Sequence, residues 1–112
     1  MTIYVDDFHT IAASLNDGVR WCNMIGTNDP ELHRFARIVG QGCNLSHAMG
    51  RYELTPAARM RAVLLGAEPV TYQQLTAMNA LRLMGEAMGR PETARARRSK
   101  IALQILEQER AI

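Results

Sequence analysis

The pattern of apolar and polar positions predicts short strands separated by amphipathic helices. Residues 2–7 alternate β-branched or aromatic side chains and end in two adjacent carboxylates, which is typical of a short buried strand that terminates at water. An apolar run over residues 19–26 stops at a glycine and predicts a second strand. The intervening residues 8–16 predict a loop or a single helical turn.

Two segments carry recognisable helix starts. Asn28 and Pro30 combine a capping side chain with a proline suited to the first turn, and the helix is expected to run to about Val39. Thr55 and Pro56 repeat this combination. The apolar stripe predicted for the second helix consists of Ala57, Met60, Val63, Leu64 and Ala67.

The segments between these helices have a weaker pattern. Residues 43–51 show no clear period, and their polar residues favour a loop over a strand. Residues 52–54 predict a short strand, and residues 68–70 predict an extended segment. Pro69 places that segment at a sheet edge, because proline cannot donate to a strand ladder.

The last part of the chain predicts a helical hairpin. Thr71 and Gln74 have the spacing of a capping box, so a helix is expected from there to about Met88. Pro91 restarts the chain into a last helix, expected to end near Arg110. The apolar face of the first hairpin helix consists of Leu75, Met78, Leu81, Met84 and Met88.

Together these elements predict an α/β (or α+β) fold. We expect a small sheet of three to four short strands, two packed helices and the C-terminal hairpin. With 112 residues there is room for a single domain. Within it, residues 1–75 are expected to form the α/β unit, and residues 76–112 a helical extension packed on that unit or on a partner.

Composition places the chain among ordinary globular proteins, with 47% hydrophobic and 21% charged residues. Seven methionines partly replace aromatic residues as core filler, and flexible thioethers also suit adaptable contact surfaces. The net charge of +2 is uneven, because residues 1–75 carry six basic and seven acidic residues whereas residues 76–112 carry seven and four. The basic tail raises nucleic-acid binding as one hypothesis, although solvated helices often carry such charges.

Cysteine content and hydropathy indicate the redox state and the cellular location expected for the chain. Cys22 and Cys43 lack the spacing of a zinc knuckle or a disulfide scaffold, and we expect both to be reduced. No apolar run approaches the roughly 20 residues of a membrane helix. We therefore expect no membrane association and a cytoplasmic location.

Asp6 and Asp7 are the leading candidates for a site. They follow the first strand at the edge where open α/β sheets usually place ligands, and a carboxylate there can hold Mg²⁺ or Mn²⁺ or act as a general base. The alternative is that both end the strand and cap the next turn. His33, at the edge of a helical stripe, is a candidate proton shuttle or a half-buried structural histidine.

A second group of candidates is positively charged or lies beside a helix start. Arg59 can meet an anion near the helix that begins at Thr55, with Tyr52 as a neighbour, or it can be an ordinary surface residue. Arg95, Arg97 and Arg98 are spaced around their helix, which favours a solvated helix over a phosphate-tracking groove.

Several short motifs, in order, resemble a family of small bacterial and phage proteins classed as a domain of unknown function. The resemblance covers about residues 2–75 and rests on the opening run and on the motifs at 20–22, 31–33, 52–56 and 65–71. In that pattern a histidine commonly follows the Trp-Cys pair and another precedes the Tyr of the later motif. This chain has Asn23 and Arg51 there, which implies that a histidine-dependent site would be incomplete.

Two main functional hypotheses follow. The first is a non-enzymatic interaction module, phage-associated by resemblance, that binds a protein partner or itself through the hairpin face of Met78, Met84 and Met88. The second is a metal-dependent hydrolase or nuclease for phosphate esters. In it, Asp6 or Asp7 would hold the metal, His33 would assist and Arg59 would contact phosphate.

Overall fold

The fold is seen in a computed structural model that describes residues 2–8, 21–46 and 50–110. The loop or helical turn predicted over residues 8–16 lies outside these ranges except for Phe8. The described residues form a mixed α/β fold, as the sequence predicts. Its five strands are β1 (Ile3–Val5), β2 (Cys22–Gly26), β3 (Cys43–Ser46), β4 (Arg51–Leu54) and β5 (Glu68–Pro69).

The strands form one sheet in the order β3-β4-β2-β1-β5. All neighbouring pairs are antiparallel except β1 and β5, which are parallel. The sheet therefore has one strand more than the three to four expected. The edge position predicted for Glu68–Pro69 is confirmed, and it leaves the proline nitrogen outside the ladder.

The additional strand is β3, and the prediction of a polar loop there was wrong. Cys43 pairs with Leu54 and Leu45 pairs with Tyr52, so β3 forms the other edge of the sheet. An edge strand pairs with another strand on one side only, and its sequence need not alternate strongly between apolar and polar residues. Its weak pattern therefore resembled that of a loop.

In the described ranges four helices connect and cover the strands: α1 (Asp29–Val39), α2 (Pro56–Leu64), α3 (Tyr72–Leu83) and α4 (Pro91–Arg110). The three predicted caps are present. Asn28 accepts a hydrogen bond from the Glu31 amide at 2.9 Å, Thr55 caps α2, and Thr71 and Gln74 form a reciprocal capping box.

The end predicted for the first hairpin helix, near Met88, is wrong by more than one turn. Helix α3 ends at Leu83, and Gly85 then adopts a φ of 80°, in the left-handed region that terminates helices. The unit boundary expected after residue 75 falls within α3.

Helices α1 and α2 cover one face of the sheet. Val5, Met24 and Leu54 point into this layer, together with the apolar face of α1. The stripe predicted for α2 was partly wrong: Val63 packs against this core and Ala67, just beyond the helix, is buried in it, but Ala58 and Ala62 are the buried residues of the helix itself. Met60 and Leu64 are exposed by 66% and 80%, respectively, and alanines at the contact let the helix backbone approach the sheet closely.

Helices α3 and α4 form the predicted hairpin and cover part of the opposite face. Tyr4 and Ile25 from the sheet meet Leu75, Met78 and Leu81 from α3 in a second core cluster. Ala94 of α4 and Met88 of the connecting turn complete this cluster. Burying each large apolar side chain stabilises the fold by about 1.5–3 kcal/mol, so the hairpin is an integral part of the described fold.

Candidate functional site

The sheet face that carries the hairpin also carries a row of polar residues. Side chains alternate between faces along a strand, so Asp6 lies on the same side as Tyr4, and Asn23 lies on the same side as Ile25. On β4, Arg51 and Glu53 also point to this side, opposite to the buried Leu54. The register pairs Asn23 with Glu53, so the polar positions of β1, β2 and β4 are neighbours.

Asp6 lies at the β1 end of this row and is fully buried. Its Oδ1 accepts hydrogen bonds from the amides of Asn23 at 2.8 Å and Phe8 at 3.1 Å. Its Oδ2 accepts from Asn23 Nδ2 at 2.8 Å. Burial raises the pKa of Asp6, and the hydrogen bonds from Asn23 and Phe8 oppose that shift. Asp6 also orients the Asn23 amide, because Nδ2 is directed to the carboxylate.

Asp7 connects the end of β1 to the hairpin. Its Oδ1 accepts a hydrogen bond from the backbone amide of Tyr72, the first residue of α3, at 2.9 Å. A carboxylate at this position also suits the positive end of the helix dipole. The contact of Asp6 with the Phe8 amide thus matches the capping alternative, whereas Asp7 caps the distant helix α3 and not the next turn. Within the described ranges, no group of three or more His, Cys, Asp or Glu residues is placed to hold a metal ion.

The polar row opens into a cavity of about 360 Å³ between the sheet and the hairpin, which we call the polar groove. Arg51 approaches Glu53 at 4.0 Å, at the outer limit of an ion pair. Its Nε is buried and has no hydrogen-bond partner among the described residues. Buried hydrogen-bond donors normally have an acceptor, so an unpaired Nε is an unusual feature of this site. The polar residues that line the groove are Asn23, Arg51, Tyr72, Thr76, Asn79 and Arg98.

Asn23 and Arg51 are the two positions at which the chain departs from the motif pattern that it resembles. They lie on adjacent strands and line the same groove. Sequence reasoning singled them out only as departures and did not include them among the site residues. Their proximity depends on the pairing of β2 with β4, which neither motif encodes by itself.

His33 and Tyr52 form a separate pair on the other face of the sheet. His33 Nδ1 lies 2.6 Å from the Tyr52 hydroxyl, and the two rings meet edge to face. Burial is the main cause that raises the pKa of Tyr52. The predicted group of Asp6, Asp7 and His33 is therefore not brought together, because the sheet separates His33 from Asp6.

Arg59 and Thr55 contact the backbone near the sheet. Arg59 Nε donates a hydrogen bond to the carbonyl oxygen of Asp6 at 2.8 Å, which ties α2 to the end of β1. The Thr55 hydroxyl accepts from the Ala58 amide at 3.2 Å as a helix cap. Neither residue lines the polar groove.

The predicted methionine face is largely internal. Met78 is fully buried and Met88 is 7% exposed, both within the second core cluster, whereas Met84 is 47% exposed. A contact surface formed by all three side chains is thus absent from this fold. Only Met84 remains accessible to a partner.

The three candidate arginines of α4 have different surroundings. Arg97 forms an ion pair with Glu86 at 3.2 Å. Arg95 and Arg98 line a second cavity, of about 410 Å³, between α3 and α4, which we call the hairpin groove. Arg98 also lines the polar groove, so the two cavities adjoin.

Fold and site together define a small α/β domain with a polar groove under a helical hairpin. The chain belongs to the family described as a protein of unknown function (DUF4031), whose match covers residues 3–82. This finding confirms the resemblance to a domain of unknown function. Searches of curated proteins and of solved structures found no significant match. In the part of the chain that the structure describes, no helix is both long and apolar enough to cross a membrane.

Proposed function

We propose that this domain binds a small phosphate-bearing ligand in the polar groove. The observation that carries the proposal is the convergence of Arg51 and Arg98 on one cavity, with the Nε donor of Arg51 buried and unpaired among the described residues. Guanidinium groups match phosphate oxygens with a planar fork of donors. Because Nε itself is closed to solvent, a ligand in the groove would meet the exposed part of the Arg51 side chain, which is 25% accessible.

Asn23 adds a second recognition element. Its Nδ2 is directed to Asp6, so its Oδ1 is the atom left to accept a hydrogen bond from a ligand hydroxyl. Two cations and an oriented acceptor around one cavity suit a phosphate ester that also carries a hydroxyl group. The hydrolase hypothesis built on Asp6 and Asp7 stays a prediction.

Titration calorimetry with inorganic phosphate and with glycerol phosphate tests the proposal. Arg98→Gln should weaken binding roughly tenfold or more, since a hydrogen bond to a charged group contributes about 1.5–3 kcal/mol. Arg97→Gln is the matched control, because Arg97 is paired with Glu86 outside the groove. Absence of heat with wild type, or an equal loss in both variants, would remove the proposal.

A second candidate function is the protein-binding module predicted for the hairpin. Its contact surface would be formed by exposed apolar residues of α4 and not by the methionines. Helix α4 has 20 residues and α3 has 12, so α4 extends about 12 Å beyond its neighbour. Leu103, Ile105 and Leu106 in the extension are exposed by 60%, 46% and 50%. A helix end supported by so few contacts is marginal in water, and an apolar partner surface would stabilise it.

Size-exclusion chromatography with light scattering, on the chain alone and mixed with cell extract, tests the second candidate. We expect a species larger than the monomer in at least one condition, and its loss on Leu106→Glu. Leu64→Glu is the control, because Leu64 is also an exposed leucine but lies on α2. A monomer in both conditions would contradict this candidate. The phage setting and a nucleic-acid partner stay predictions.

A further inference from the structure

Helix α4 carries its charges in two opposite blocks. Its first half, residues 91–100, contains four basic residues and Glu92. Its second half, residues 101–110, contains Glu107 and Glu109 with Arg110 at the end. The halves therefore differ in sign, at +3 and −1. A helix with this distribution is complementary to a copy of itself that runs in the opposite direction.

One face of α4 is exposed along most of its length. Its positions recur at spacings of three and four, which places them on a single stripe of the helix. Every position of the stripe is exposed, so no other described part of the chain covers it. The stripe consists of positions 95, 98, 99, 102, 105, 106 and 109.

The stripe is symmetric about Ala102. Arg95 and Glu109 lie seven residues on either side of it, and Ser99 and Ile105 lie three residues on either side. In an antiparallel pair with its two-fold axis at Ala102, the Arg95 of each copy meets the Glu109 of the other. Each Ile105 then meets a small Ser99. The small Ala102 side chain at the axis permits close approach of the two helices.

The hairpin groove lies beside the same stripe. Its α4 wall is formed by Arg95, Arg98, Ser99 and Ala102, and its α3 wall by Tyr72, Gln73, Thr76 and Ala77. The cavity has a volume of about 410 Å³, and Leu106 is half exposed on the extension beyond it. In the antiparallel arrangement the Leu106 of one copy lies opposite Arg98 of the other, because both are four residues from Ala102. The aliphatic part of the Arg98 side chain can pack against this leucine while its guanidinium stays in water.

We infer that the occupant of this surface is a second copy of the chain. Two α3–α4 hairpins join through antiparallel α4 helices into a four-helix arrangement with a two-fold axis at Ala102. The inference rests on the second candidate function and names its partner. Charge complementarity and the symmetry about Ala102 favour a second copy over an unrelated protein.

A charge swap tests the inference by sedimentation equilibrium between micromolar and millimolar concentrations. Wild type should be dimeric at the upper end. Arg95→Glu and Glu109→Arg should each raise the dimer dissociation constant about tenfold, because each change replaces two symmetry-related attractive pairs with repulsive pairs. The double variant should return to within about threefold of wild type, since the pairs are restored with reversed sign.

Lys100→Glu is the control, because it makes the same change of charge on α4 outside the stripe. It should leave the dissociation constant within about threefold of wild type, and circular dichroism should show that every variant retains its helices. Failure of the double variant to recover, or equal weakening by Lys100→Glu, would overturn the inference. So would a wild-type chain that stays monomeric; a complex with extract that is lost on Leu106→Glu would then still support the second candidate function.

Discussion

Asp6 joins β1 to β2 through its side chain in addition to the backbone ladder. Its two carboxylate oxygens accept from the amide and the side chain of Asn23, and Oδ1 also accepts from Phe8. The carboxylate thereby satisfies three donors just beyond the end of β1. Buried side chains with several hydrogen bonds specify one local arrangement, because each unpaired donor would be costly.

Substitution of Asp6 should therefore lower stability far more than substitution of Asp7. Asp6→Asn puts an NH₂ group against Asn23 Nδ2 or against the two backbone donors, and we expect a loss of about 1–3 kcal/mol. Asp7→Asn keeps an oxygen acceptor for the Tyr72 amide, so its cost should stay within about 0.5 kcal/mol. Urea unfolding followed by circular dichroism measures both values, and similar losses would contradict the distinction.

The raised pKa of Asp6 also predicts the sign of a pH effect. Between the unfolded pKa, near 4, and the higher folded pKa, the folded protein retains a proton that the unfolded chain releases. The stabilising contribution of protonated Asp6 is thus complete below the unfolded pKa and is lost as the pH rises through the folded pKa. The unfolding free energy of wild type relative to Asp6→Asn should fall as the pH is raised from about 4. A difference that grows with pH would refute this assignment.

At the scale of the elements, the helix starts were predictable because their determinants are local. Asn28, Thr55 and Thr71 each cap the amide three residues further on, so the interactions that start each helix lie within a few residues of its cap. Strand β3 and the buried face of α2 were missed for the opposite reason. Both depend on a surface supplied by distant residues, and Ala58 becomes the contact residue only because the sheet lies beside it.

The hairpin methionines give an element-scale prediction. Met78→Ala should destabilise the protein by about 2–5 kcal/mol, since the side chain is fully buried between α3, α4 and the sheet. Met84→Ala, at the exposed end of α3, should change stability by less than about 0.5 kcal/mol. Thermal or urea unfolding of the two variants checks this contrast. Equal effects would show that the hairpin does not pack as described.

At the scale of the whole molecule, strand order determines which candidate residues meet. Asp6, Asn23 and Arg51 lie far apart in sequence but on the adjacent strand segments of β1, β2 and β4. His33 was grouped with Asp6 on the basis of residue chemistry, yet the sheet lies between them. Residue types thus indicated which side chains carry chemistry, whereas their grouping required the pairing of strands that no local pattern specifies.

The position of β1 between β2 and the edge strand β5 has a consequence for how the chain folds. One of its neighbours, β5, pairs with it across 64 residues, from Tyr4 to Glu68, and the Val70 amide closes the ladder on the Val5 carbonyl at 2.8 Å. Until that late segment arrives, β1 presents an open edge of unpaired backbone groups, which is a template for association with other nascent chains. Closure of so long a loop is slow. Pairing with β5, although it is only two residues long, covers the open edge of β1 and thereby lowers the tendency of the folding chain to aggregate.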